Sequence, residues 1–291
     1  MDSNELIKKV RKIEIKTRGL SQNIFAGEYH SAFKGRGMMF SEVREYQYGD
    51  DIRDIDWNVT ARHNHPYVKV YEEERELTVM LLIDISASRN FGAMGHEKRE
   101  IIAEIAATIA FSAIQNNDKI GAIFFSDKVE KFITPKKGRK HILFLIRELL
   151  DFQPENSGTD IAQAVRYFSD ALKRRCTMFL ISDFIDSSDY RTPLTVAVSR
   201  HDIMAIQVYD KRDSELPDVG LMQVLDLESG HTRWVDTSSL KTRKAYSKWW
   251  YDRQQQMSAT LRSTRIDFAT IATDEDYVKA LMVLFKNRST V

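Results

Sequence analysis

The chain carries the sequence Leu77-Thr78-Val79-Met80-Leu81-Leu82-Ile83, and this is followed at once by Asp84-Ile85-Ser86-Ala87-Ser88. The first seven residues are apolar apart from one threonine, and a short apolar run of this kind predicts a buried strand. An Asp-x-Ser-x-Ser sequence then stands where the strand should end. We therefore expect one carboxylate and two hydroxyl groups on a single turn at that end of the strand.

Two further oxygen-bearing residues are expected at the same place. Thr159 lies in Ser157-Gly158-Thr159-Asp160 at the predicted start of a helix, and Asp183 ends a second apolar strand, which begins at Thr177. In parallel α/β sheets, ligands bind at the carboxyl ends of the strands, so these residues should converge. Oxygen ligands suit hard divalent cations such as Mg²⁺. The sequence predicts a metal site that consists of Asp84, Ser86, Ser88, Thr159 and Asp183, with Asp183 binding directly or through water.

Length, composition and charge narrow the class of protein. A chain of 291 residues with 43% apolar residues can bury a large core, and its single cysteine cannot form an internal disulfide. With 43 basic and 42 acidic residues, the charge balance gives no reason to expect nucleic acid as the main partner. The N-terminus lacks the apolar segment of a signal peptide, and no stretch reaches the roughly 18 apolar residues of a membrane span. We expect a soluble cytoplasmic protein.

From residue 77 onward, apolar strand-like runs alternate with segments of helical period. This alternation predicts an α/β domain over residues 77–291, with a mostly parallel sheet flanked by helices. Residues 119–125 and 129–133 are joined by a short connection and predict a hairpin, which makes one edge strand antiparallel. Residues 1–76 contain few apolar runs and are predicted to form an N-terminal extension that docks on this core.

The metal-site residues have the pattern of a metal-ion-dependent adhesion site and resemble von Willebrand factor A-type domains, whose sheet is Rossmann-like. The sequence Gly49-Asp50-Asp51-Ile52-Arg53-Asp54-Ile55-Asp56-Trp57, followed by Thr60-Ala61-Arg62 and the acidic residues 72–74, precedes that pattern. This order of motifs resembles the bacterial family of unknown function numbered fifty-eight. The resemblance implies a von Willebrand factor A-like domain linked with MoxR-type AAA+ ATPases, and a chaperone-like or complex-assembly role.

Two other clusters could be interpreted as metal sites. The acidic residues 50–56 do not match a calcium-loop spacing, and we expect structural ion pairs with Arg53 and burial of Trp57. His63 and His65 lack a third ligand at a suitable spacing, so a turn or docking role is favoured. The hydroxyl residues of the main site could also merely cap turns and helices.

The expected function is metal-dependent protein binding without catalysis. No Gly-x-Ser-x-Gly elbow and no phosphate-binding Gly-x-x-x-x-Gly-Lys-[Ser/Thr] loop occurs in the sequence. The expected cation is Mg²⁺ or Mn²⁺, with Ca²⁺ as an alternative, and the expected partner is a protein that offers a carboxylate, namely a MoxR-type ATPase or its client. The alternative is a metal-dependent hydrolase or phosphatase with Asp84 as its base. Substitution of Asp84 by alanine is expected to leave the fold intact, because the carboxylate is placed on the loop.

Overall fold

The computed structural model describes residues 3–20, 39–63, 65–72, 77–86, 92–93, 96–155, 158–225 and 232–289. By their contacts, Met1–Ala32 and Leu77–Val291 form one compact unit, and Phe33–Glu76 form a second. One boundary between these units lies after Glu76, and the N-terminal helix belongs with the larger unit.

The described strands are β1 (Met39–Glu45), β2 (Tyr67–Glu72), β3 (Thr78–Asp84), β4 (Gly92–Ala93), β5 (His96–Glu97), β6 (Lys119–Phe125), β7 (Val129–Lys136), β8 (Thr177–Ser182), β9 (Asp202–Tyr209), β10 (Leu221–Leu225), β11 (Thr232–Asp236) and β12 (Asp267–Ala272). The described α-helices are α1 (Ser3–Leu20), α2 (Trp57–His63), α3 (Lys98–Gln115), α4 (Arg139–Asp151), α5 (Ile161–Ala171), α6 (Arg191–Val198), α7 (Lys211–Ser214), α8 (Leu240–Ser263) and α9 (Tyr277–Ser289). The strands predicted at residues 77–83 and 119–125 and from Thr177 onward correspond to β3, β6 and β8 to within one residue at each end.

The central sheet of the larger unit has the strand order β12-β9-β8-β3-β6-β7. All neighbouring strands in it are parallel except β7, which pairs antiparallel with β6 at one edge. The chain builds outward from β3 to β6 and β7, then returns to the other side of β3 with β8. The strand order therefore reverses between β3 and β8. This is the von Willebrand factor A-like α/β fold that the sequence predicted, including its antiparallel edge strand.

Helices cover both faces of the sheet, as the two-sided burial of β3 requires. On one face, Met80 and Leu82 share a core cluster with residues of α5, α6 and α8, among them Leu261. Side chains alternate along a strand, so Phe179 of β8 points to the opposite face, where its ring meets the ring of Phe285 edge-on at 6.2 Å. The side chains on both faces of β3 and β8 are thus buried, and the polar side chains of these two strands lie at the strand ends.

The N-terminal helix α1 packs against α3 and α4. Its residues Leu6 and Ile13 are buried, and Lys9 forms a salt bridge of 2.6 Å with Glu100 of α3. These contacts explain why this helix belongs with the larger unit. No helix in the described ranges carries an apolar stretch long enough to cross a membrane.

The smaller unit is a hairpin of β1 and β2 with the acidic segment tied to it. Arg44 forms a two-pronged ion pair with Asp50, with N–O distances of 2.7 and 2.8 Å, and Lys69 lies 3.6 Å from Asp56. The prediction that Arg53 supplies the pairing cation is wrong. Arg53 instead donates its main-chain N–H to the Asp51 side chain at the start of a 3₁₀ turn, Ile52–Asp54.

The predicted burial of Trp57 is also wrong, because its side chain is 70% exposed. Trp57 is the first residue of α2, and the preceding Asp56 accepts hydrogen bonds from the N–H groups of Asn58 and Val59. Polar capping and the main-chain hydrogen bond from Asp56 N–H to the carbonyl of Tyr67 hold this segment in place. The indole is therefore not its anchor.

Candidate metal centre

Asp84 is the last residue of β3, and its side chain is only 3% exposed. One carboxylate oxygen, Oδ1, accepts a hydrogen bond of 2.9 Å from the main-chain N–H of Ser86. The other, Oδ2, accepts one of 2.7 Å from the hydroxyl of Ser182. The carboxylate is thus enclosed within the fold, which contradicts the expectation that it is placed on the loop.

Asp183 lies beside Asp84 at the same edge of the sheet. It follows the last residue of β8, and β8 is the parallel neighbour of β3. Asp183 is buried, and its Oδ1 atom accepts a hydrogen bond of 3.1 Å from the N–H of Ile185. Its main-chain carbonyl accepts another of 3.1 Å from the amide of Gln207. Both carboxylates therefore lie where the strand order reverses, which is the usual ligand position in open α/β sheets.

The proximity of two buried carboxylates affects the proton affinity of Asp84. Burial and, after it, the negative charge of Asp183 raise the pKa of Asp84 to about 7. Hydrogen bonds from Ser182 and Ser86 act in the opposite direction but do not compensate. This is the expected behaviour of a carboxyl group that is taken out of water next to a like charge.

A buried lysine, Lys98, is the third charged group of the site. Its side chain is 2% exposed, and its Nζ atom lies 3.2 Å from Asp183 Oδ2 and 2.7 Å from Asp213 Oδ2. Burial, the largest single influence, lowers the pKa of Lys98, but the two carboxylates together outweigh it and the pKa is raised. Lys98 is therefore an ammonium group at neutral pH. It links the start of α3 to the end of β8 and to α7.

The hydroxyl residues approach the same edge from two directions. Ser86 is 1% exposed and sits directly after Asp84 and Ile85. The segment that contains Thr159 is held on both sides, because Asp160 N–H donates to the carbonyl of Ser126 at 2.9 Å and Ile161 N–H donates to Asp186 at 2.7 Å. Ser126 follows β6 and Asp186 follows β8, so this segment spans the end of β3 between them.

Four of the five predicted ligands, Asp84, Ser86, Thr159 and Asp183, thus lie at one edge of the sheet, with Asp84 and Asp183 adjacent. Ser88 lies outside the described residues. Within the described ranges, no three His, Cys, Asp or Glu side chains are grouped as a ready metal-binding set. A cation here would need hydroxyl and water ligands in addition to the two carboxylates.

The donor set fits a hard divalent cation in chemistry and in charge. Its side chains offer only oxygen atoms, which Mg²⁺, Mn²⁺ and Ca²⁺ prefer. The carboxylates of Asp84, Asp183 and Asp213 together with one ammonium group leave a formal charge of −2 when Asp84 is ionised. One divalent cation would balance that charge.

Lys98, Asp213 and Ser182 were not predicted from the sequence as residues of this site. Lys98 could have been predicted from its position, because a cation in the first turn of a helix lies at the positive end of the helix dipole, which is unfavourable. A lysine at such a position indicates that a carboxylate lies nearby. Asp213 has no comparable signal, since the short helix α7 is highly charged and exposed around it.

The chain is similar to a protein family, to an uncharacterised bacterial protein and, in its fold, to a solved structure. A family model described as protein of unknown function DUF58 matches residues 42–256. The protein "Uncharacterized protein Rv1480" of Mycobacterium tuberculosis is 29% identical over 290 residues, which is 99% of this chain and 91% of the relative. The crystal structure of an aerotolerance-related membrane protein from Bacteroides fragilis, with multiple mutations to serines, aligns with a TM-score of 0.50. It is 13% identical, and the alignment covers 74% of this chain and 98% of that one.

Proposed function

The chain belongs to the DUF58 family of proteins of unknown function, and on that premise we propose that it is a metal-dependent protein-binding module. The cation, Mg²⁺ or Mn²⁺ with Ca²⁺ as the alternative, would be held by the predicted set Asp84, Ser86, Ser88, Thr159 and Asp183. When bound, it would offer one coordination position to a carboxylate of a partner protein. Such a contact between opposite charges, partly removed from water, can control docking.

The observation that carries the proposal is the pair of buried carboxylates at the reversal of strand order. Asp84 and Asp183 end neighbouring parallel strands and are 3% and 6% exposed. Two buried negative charges side by side destabilise each other, and the single ammonium of Lys98 is already shared with Asp213. A bound dication would remove this imbalance. Support for metal binding therefore comes from the charges and the oxygen donors of this chain.

The role proposed is association rather than catalysis. The hydrogen bonds that Asp84 accepts from Ser86 and Ser182 fix the orientation of its carboxylate, as a metal ligand requires. The resemblance to the family suggests a partner, namely a MoxR-type AAA+ ATPase or the client on which it acts, in complex assembly or chaperone-like maturation.

The test is retention of the host's MoxR-type ATPase on the immobilised protein. We expect retention by the wild type in millimolar Mg²⁺, and loss of it both in EDTA and in Asp84→Asn. The matched control is Asp170→Asn, because Asp170 is an exposed aspartate near the end of α5. This control should retain the ATPase as the wild type does.

Two results would contradict the proposal. Equal retention in all samples would exclude a metal bridge. A generic phosphate ester that is hydrolysed in Mg²⁺ or Mn²⁺ by the wild type, but not by Asp84→Asn, would show that the site is an enzyme instead. Measuring both on the same preparations separates binding from turnover.

A further inference from the structure

The position of Lys98 is unfavourable for an ammonium group, both because it is buried and because of the helix to which it belongs. Its ammonium group is buried in the first turn of α3, close to the positive end of the helix dipole. A buried lysine also loses its hydration, which only close carboxylates can offset. The ammonium group of Lys98 is stabilised at this position by Asp183 and Asp213, which lie 3.2 and 2.7 Å from its Nζ atom.

The two carboxylates that hold Lys98 differ in their other contacts. Asp183 lies at the proposed metal site, next to Asp84, and both of its side-chain oxygens accept hydrogen bonds, Oδ1 from Ile185 N–H and Oδ2 from Lys98. Asp213 belongs to α7 and makes the shorter contact with Lys98, and its Oδ2 atom also accepts a hydrogen bond of 3.0 Å from the N–H of Asp210. Lys98 can therefore keep one partner, Asp213, if Asp183 turns toward another cation.

We propose that Lys98 is a built-in cation that competes with the divalent metal for Asp183 and thereby keeps the metal weakly bound. This inference rests on the proposed metal-binding function. An ammonium group paired with one carboxylate of a metal site lowers the negative charge that the metal meets and repels the metal directly. Because the interior screens charges poorly, this effect should weaken metal affinity by roughly tenfold or more. The site would then be loaded and emptied readily, so that partner binding can follow metal occupancy.

The decisive variant is Lys98→Met, which keeps an unbranched apolar stem and removes the charge. We expect it to bind Mg²⁺ and Mn²⁺ about tenfold more tightly than the wild type by calorimetric titration. In EDTA it should melt at a lower temperature than the wild type, because Asp183 and Asp213 lose their cation. Addition of metal should therefore raise its melting temperature more than that of the wild type.

In a second variant, Asp213→Asn, the expected change in metal affinity is the opposite. This variant also tests the proposal if Lys98→Met does not fold. In Asp213→Asn, Lys98 retains Asp183 as its charged partner, so Mg²⁺ should bind several-fold more weakly than in the wild type. The matched control is Lys173→Met, which removes the lysine of an exposed Lys–Asp pair formed with Asp170. Its metal affinity should equal that of the wild type.

The outcomes distinguish this inference from the proposed function. If Lys98→Met or Asp213→Asn binds Mg²⁺ with wild-type affinity, Lys98 is only a structural residue, and the metal-dependent function stands. If the wild type shows no binding but Lys98→Met does, Lys98 blocks the site, and the proposed function is overturned while the competition is confirmed. If neither binds metal, both proposals are wrong.

Discussion

Substitutions of Asp84 separate the structural role of its carboxylate from its proposed role as a metal ligand. Its carboxylate accepts hydrogen bonds from the Ser86 N–H at 2.9 Å, from the Ser182 hydroxyl at 2.7 Å and from the side chain of Ser86. In Asp84→Ala these donors lose the acceptor that Asp84 provides. In Asp84→Asn the amide oxygen still accepts from Ser86, and the amide N–H₂ can donate to the Ser182 oxygen.

The size of the effect follows from these hydrogen bonds. A buried donor without a partner costs about 1–3 kcal/mol. At about pH 6 the metal-free Asp84 is largely protonated, because its pKa is about 7, so removing it relieves little charge repulsion. We therefore expect Asp84→Ala to lower the free energy of unfolding by about 2–4 kcal/mol in EDTA, and Asp84→Asn by only about 1 kcal/mol.

Urea denaturation in EDTA measures this cost, and the same titration with millimolar Mg²⁺ measures the metal-linked gain. The wild type should become more stable with Mg²⁺, whereas Asp84→Asn should not, although its fold is nearly unperturbed. If Asp84→Ala is as stable as the wild type in EDTA, the hydrogen bonds to Asp84 do not support this edge of the sheet. If Asp84→Asn keeps the full gain with Mg²⁺, Asp84 is not a ligand.

Three further predictions concern pH, packing and exposure. The pKa of Asp84 is raised from an ordinary value near 3.8 to about 7 in the folded protein, so the folded state binds this proton more tightly than the unfolded state does. The free energy of unfolding in EDTA should therefore fall as the pH rises from about 4 to about 7. If urea titration shows that it rises instead, the carboxylate is not buried. Gly121→Ala should destabilise the protein by about 1–3 kcal/mol, because a methyl group there would lie 2.7 Å from both the carbonyl of Ile133 and the sulfur of Met80; wild-type stability would show that β7 can move away from β6. Trp57→Ala should change the free energy of unfolding by less than about 1 kcal/mol, since the indole is 70% exposed, and a loss of several kcal/mol would mean that it is buried.

Sequence patterns were sufficient to predict the architecture and the convergence of Asp84 and Asp183. Hydrophobic period is a local property, so apolar runs such as residues 77–83 located the strands, and their alternation with helical segments implied a parallel sheet. Asp84 and Asp183 each stand at the end of such a run. In a parallel sheet the ends of all strands share one edge, so their convergence followed from the order of elements without knowledge of side-chain positions.

The charge balance of the site depended on contacts that local patterns do not encode. Lys98 is 85 residues from Asp183 in the chain, and its ion pairs form only because α3, β8 and α7 meet at that edge. The exposure of Trp57 and the pairing of Asp50 with Arg44 instead of Arg53 are failures of the same kind. The type and spacing of residues in the sequence indicate which ligands they can bind. The burial of a side chain and its ion-pair partners depend on the distant groups that the folded chain brings within a few ångströms of it.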